Sequence, residues 1–167
     1  GRLLERLVYL GYAVPPVALA LALVMFTIRF APGLYQTFPL LVAAYLVSFL
    51  ALAIGPVRSG LMQVSPRLEE TARSLGRGRF LAFMQVVMPS LYRNVLAGGA
   101  LVLMAVMKEL PMTYLLAPSG YRNLAVRVFG LTNEAMMAAA APYALAIVLF
   151  SSLFVGLLLA YEGRRAA

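Results

Sequence analysis

The chain has 167 residues, 63% of them hydrophobic and only 12% charged, with a net charge of +8. A soluble domain carries about 45–50% apolar and about 25% charged residues, so too little polar surface is present here to coat a core of this size. With no His and no Cys, a disulfide framework, a zinc site of the usual kind and thiol chemistry are excluded, and an all-α membrane protein is the reading that remains.

The opening GRLLERLVYLGYAVPP has neither an initiator Met nor a small-residue cleavage signature. It reads as the interior of a longer polypeptide, with further helices expected upstream, rather than as a signal peptide. Residues 11–28 make a first expected span, about 27 Å at 1.5 Å per residue. Pro15 and Pro16 fall in its first turns, where a missing amide hydrogen is tolerated or marks a broken start. Pro32 and Gly33 then turn the chain, and Tyr35 and Phe38 suit interfacial depth. Residues 39–54 make the second span, with Gly55-Pro56 as a natural stop. Its small residues Ala43, Ala44, Ser48 and Ala51 suit close helix contact.

Residues 65–90 form the one long stretch a bilayer would reject, with Glu69, Glu70, Arg73, Arg77 and Arg79. Ser65-Pro66 followed by two glutamates is a helix start. Gly76 and Gly78 permit a hinge, after which Phe80, Phe83, Met84 and Val87 recur at spacings of three and four until Pro89 and Ser90 close the pattern. A polar two-helix loop is expected here.

The third span covers residues 95–116, interrupted at Lys108-Glu109-Leu110-Pro111, with Gly98 and Gly99 allowing close backbone approach near its start. Residues 117–135 are too polar to cross. A strand through Leu124, Val126 and Val128 would leave an unpaired edge, so a short surface helix through Leu124, Val128 and Leu131 is the expectation. Residues 136–160 make the fourth span, which Pro142 should bend or unwind near its start. Ten of the 14 basic residues then lie at the ends and in the 55–94 region, against Arg29, Lys108, Arg122 and Arg127 elsewhere. The positive-inside rule places both ends and the polar loop in the cytoplasm and accounts for the charge without nucleic acid.

The acidic residues are all Glu, and no two stand at the spacing of a helical metal-ligand pair, so no metal site is expected. Gly76 and Gly78 lack the lysine and hydroxyl residue of a phosphate cradle, so no nucleotide cofactor is expected on this chain and no catalytic site. Glu69 and Glu70 suit two roles equally, helix-start charge or docking to a cationic partner group. Lys108 and Glu109 either sit at the outer interface or line a pathway, because charges in a span are costly unless paired or wet. Adjacent residues do not face one another on a helix, so no Lys108–Glu109 bridge is implied. Pro111 frees a carbonyl one turn earlier, a break tolerated where it lines a cavity. Arg122 and Arg127 read as solvated or head-group contacts on the outer side, with acidic residues of a docking protein as the alternative.

Glu70-Thr71-Ala72, three residues, Gly76, nine residues, Val86, one residue, then Met88-Pro89 resembles the EAA loop of binding-protein-dependent ABC importer permeases. Thr71, Val86 and Met88 replace alanine, isoleucine and leucine at unchanged spacing. The run from Lys108 through Glu109, Pro111 and Thr113 to Val128 is similar to the ferric-iron type. Ala117 stands where that type has arginine, and Asn123 where it has threonine.

The resemblance implies the core of the permease fold, with about four transmembrane helices in the bacterial inner membrane. It makes Glu69, Glu70, Thr71, Ala72, Gly76 and Pro89 the coupling segment in the groove of a cytoplasmic ATPase dimer, which would hold ATP and Mg. It also implies a second permease copy or the other half of a fused permease, and an external substrate-binding protein. Lys108, Glu109, Pro111 and Thr113 become candidates for the pathway or gate, with ferric iron as the expected solute. Thiamine, phosphonate, sulfate, molybdate and polyamine permeases share the fold. An ion-gradient transporter or channel is the rival class, but it needs a midplane ion site for which only Lys108, Glu109 and Glu134 are on offer.

Overall fold

A computed structural model of the chain describes residues 2–64 and 78–166, and every ordered element among them is helical. The described helices are α1 (Arg2–Ala13), α2 (Pro16–Phe30), α3 (Phe38–Gln63), α4 (Arg79–Ala82), α5 (Met88–Lys108), α6 (Pro111–Leu116), α7 (Leu124–Asn133) and α8 (Met137–Ala166). A π-helical segment, Phe83–Val87, joins α4 to α5. Among the described residues, three stretches are long and apolar enough to cross a membrane: Phe38–Gln63, Met88–Lys108 and Met137–Leu157. The apolar helix Pro16–Phe30 is shorter.

Prolines redraw several expected boundaries. The helix expected over 11–28 is two helices. Pro15 is extended, with φ −56° and ψ 130°, and Pro16 opens α2, because two successive residues without amide hydrogens leave preceding carbonyls undonated. At Pro56 the outcome is the reverse. The expected stop after residue 54 does not occur, and α3 runs on to Gln63 with Pro56 inside it. Pro89 likewise does not close a helix but takes the second position of α5, directly after the π-helical turn. The wider i→i+5 turn already departs from the i→i+4 ladder that proline disrupts, so the helix can continue. Pro142 lies within an unbroken α8. The helix expected over residues 124–131 is present as α7.

The chain divides into two compact units, Gly1–Ala51 with Leu103–Ala167, and Leu52–Val102. In the first, α2 packs on α6 and α7 packs on α8. Ala44 and Ser48 of α3 are buried as the small-residue stripe suggested, whereas Ala43 is exposed. The outward side of α8 carries Leu145, Val148, Leu149, Leu153 and Leu157, an apolar face suited to lipid or other helices.

In the second unit, a Cβ on Gly98 would stand 3.0 Å from the Cα and carbonyl oxygen of Ala53, so glycine permits this backbone approach. Gly99 meets nothing comparable. Asn94 Nδ2 donates to the Pro56 carbonyl at 3.1 Å, and its side chain lies against Gly60, where a Cβ would come within 2.5 Å of Cγ. These contacts hold the helix through a proline that costs about 3 kcal/mol or more in a helix interior. Of the apolar line in the polar loop, Val87 is buried while Phe80, Phe83 and Met84 are exposed.

Candidate functional site

The coupling residues expected from sequence fall mostly beyond what the structure describes: Glu69, Glu70, Thr71, Ala72 and Gly76 lie outside the described residues. Pro89 is described and exposed. The other candidates meet at the helix break, inside the first compact unit.

α5 ends at Lys108 and α6 begins at Pro111, so Glu109 and Leu110 form the break. Proline suits the first position of α6 because no intrahelical donor is needed there. The amides that follow need an acceptor, and Glu109 provides it. Its Oε1 accepts from Met112 N and its Oε2 from Thr113 N, both at 2.9 Å. Thr113 Oγ1 adds a third bond to Oε2 at 3.0 Å. Glu109 is only 6% exposed, and with three donors converging on it a buried carboxylate is accounted for.

The carbonyls on the other side of the break are also satisfied. Asn123 Nδ2 donates to Glu109 O at 2.6 Å and reaches Val106 O at 3.3 Å and Thr113 Oγ1 at 3.0 Å. Its Oδ1 accepts from Val126 N at 2.8 Å, which makes the same residue the N-cap of α7. One amide side chain therefore ties the break to the next helix. Tyr45, on α3, closes the network through a hydroxyl contact with Thr113 Oγ1. The single Thr113 proton is directed to Glu109, so the Tyr45 hydroxyl donates in that contact. Beside it, Ser48 Oγ donates to Met112 Sδ at 3.5 Å. No buried side-chain nitrogen or oxygen among the described residues lacks a partner.

The four pathway candidates thus separate. Glu109 and Thr113 are buried and share one network, Pro111 opens α6, and Lys108 is exposed at the end of α5. The absence of a Lys108–Glu109 bridge follows from their opposite burial. Tyr45 and Asn123 are members that sequence reasoning did not assign. Asn123 carried a usable signal, since asparagine directly before an apolar helical pattern is a capping residue. Tyr45 carried little beyond being a hydroxyl within an apolar run. Ala117, where the ferric-iron type has arginine, is buried and donates its amide to Thr113 O at 3.1 Å.

This arrangement is a clamp: its polar groups are bonded to one another and to backbone. It supplies acceptors to the Met112 and Thr113 amides at an interruption between two helices, the kind of satisfaction that irregular backbone in an apolar segment requires.

An Fe(3+)-transport system permease protein of Haemophilus influenzae is 42% identical over 158 residues, covering 95% of this chain and 31% of the relative. Putative 2-aminoethylphosphonate transport system permease proteins of Salmonella typhimurium and Salmonella typhi are each 28% identical over 155 residues, 91% of this chain. The chain spans 57% of the former and 58% of the latter. Residues 1–166 match the profile of the binding-protein-dependent transport system inner membrane components, and the chain belongs to that family.

Proposed function

We propose that this chain forms part of the translocation pathway of an ATP-driven importer whose solute is ferric iron. The observation that carries the choice of solute is the 42% identity, across 95% of the chain, to a permease described as an Fe(3+) transporter. In this reading residues 65–90 couple the chain to a cytoplasmic ATPase dimer, with Glu70 as the principal docking charge. A second permease domain completes the pathway, and an external binding protein delivers solute. ATP binding shifts the access equilibrium only as far as the ATPase binds the two permease states differently. The clamp moves as one body, because Glu109, Thr113, Asn123 and Tyr45 hold the end of α5, α6, α7 and α3 in a single polar network. Glu109 then holds the shape of the break, and Lys108 is the charge offered to the pathway.

A phosphonate solute is the second reading, favoured by the 28% identical relatives. The two are separated by reconstituting the complex with its ATPase and binding protein in proteoliposomes and measuring ATP-dependent uptake of ferric iron and of 2-aminoethylphosphonate. Uptake of the phosphonate alone would reject iron. Glu70→Arg is expected to weaken copurification of the ATPase severalfold while membrane insertion is unchanged. Normal assembly and transport in that variant would remove Glu70 from the coupling role.

A further inference from the structure

The end of α5, the segment from Gly120 to Arg127 and Tyr143 of α8 surround a cleft of about 530 Å³ beside the clamp. Val106 and Met107, from the last turn of α5, belong to its apolar wall, and Tyr121, Arg122, Arg127 and Tyr143 are among the residues that complete the lining. The Arg127 guanidinium lies 5.6 Å from the centroid of the Tyr143 ring, which fixes its position. No acidic side chain lines the cleft. The nearby Glu109 carboxylate is committed to Met112 and Thr113, so it does not neutralise the arginines. Asn123 is likewise committed, its amide to the break and its oxygen to Val126. Two cations therefore share one concavity with no anion supplied by its walls.

The make-up of the cleft's lining decides what kind of anion suits it. Its apolar wall is the end of Met88–Lys108, a helix long and apolar enough to cross a membrane. Its arginines belong to the polar segment that follows. An apolar wall next to two cationic side chains brings together both sides of the bilayer interface, where arginine takes phosphate oxygens in bidentate fashion and tyrosine is favoured.

We propose that this cleft binds the phosphodiester head of an anionic phospholipid, with Arg122 and Arg127 on the phosphate and the glycerol region on Val106 and Met107. The lining offers two arginines to an anion and no carboxylate to an ammonium head group, so net-anionic phosphatidylglycerol is preferred over zwitterionic phosphatidylcholine. The volume lies within the ~300–1,000 Å³ range of small-ligand sites.

The test uses the assembled transport complex in nanodiscs of phosphatidylglycerol or of phosphatidylcholine, with a parallel arm of inorganic phosphate in detergent. Phosphatidylglycerol retained through delipidation is expected to fall roughly tenfold in Arg122→Gln/Arg127→Gln and to stay unchanged in Arg29→Gln. In the unaltered complex, phosphatidylglycerol but not phosphatidylcholine should shield Arg122 and Arg127 from phenylglyoxal, a measurement that stands if the double variant fails to assemble. Equal shielding by inorganic phosphate would overturn the lipid assignment in favour of a small-anion site. Shielding by the binding protein alone would overturn it in favour of a docking contact. Equal labelling in both lipids would overturn it outright.

Discussion

Pro56 and Pro111 have opposite effects on their helices. Around Pro56 the helix continues for another seven residues to Gln63, while at Pro111 it has stopped and a new one begins. Proline removes one amide hydrogen in either place. What differs is whether a side chain offers the neighbouring backbone something better than the helix. At Pro111, Glu109 accepts from the Met112 and Thr113 amides and the Asn123 amide reaches the Glu109 and Val106 carbonyls, so the broken geometry is bonded by side chains. At Pro56 no carboxylate stands nearby in sequence, and the close approach of Gly98 to Ala53 together with the Asn94 bond to the Pro56 carbonyl rewards continuity. A proline inside an apolar segment therefore marks where a break is permitted, and local polar chemistry decides whether one forms.

The largest effect is expected at the broken site. Glu109→Ala leaves the Met112 and Thr113 amides buried without an acceptor, a loss of about 3 kcal/mol or more. Thermal unfolding of the purified complex would register it, with Glu109→Gln falling between Ala and wild type because one oxygen remains. A Glu109→Ala complex that melts like wild type would mean that the carboxylate does not hold the break.

On the continuous side, Gly98→Ala places a methyl 3.0 Å from backbone atoms of Ala53, which cannot swing aside as a side chain would. A destabilisation of about 1–3 kcal/mol should follow, read from the same unfolding measurement. Tolerance of alanine would show that this contact does not sustain α3 past its proline. Last, Pro56→Ala restores a helical amide and should stabilise by roughly 1–2 kcal/mol, the helix-interior cost of proline being partly offset by the looser unfolded chain. Strong destabilisation there would mean that Pro56 shapes the helix in a way the comparison with Pro111 omits.

Much of the fold was legible because it depends on composition and period. The apolar runs, the interruption at Lys108–Pro111 and the helix over Leu124–Leu131 all appear, since apolar surface and backbone bonding constrain them locally. The exact ends were less legible: prolines at 15, 56 and 89 read as punctuation of similar weight, yet the first separates two helices and the other two lie within them. The candidate site was half legible. Glu109, Pro111 and Thr113 stood out as charge, breaker and hydroxyl in an apolar run. Tyr45 did not, because its partner Thr113 is 68 residues away and nothing in the spacing announces the pair.

The sequence by itself determined that this chain is helical, that it suits a membrane, and that its third apolar segment breaks before Pro111. Those properties follow from hydrophobicity and from backbone donors counted along the chain. Only the tertiary structure decided that Glu109 turns inward while Lys108 remains exposed, that Asn123 serves the break and α7 together, and that Arg122 and Arg127 share one cleft. Such pairings depend on which segments approach in space, and each requires a partner distant in sequence before a buried polar group is worth burying.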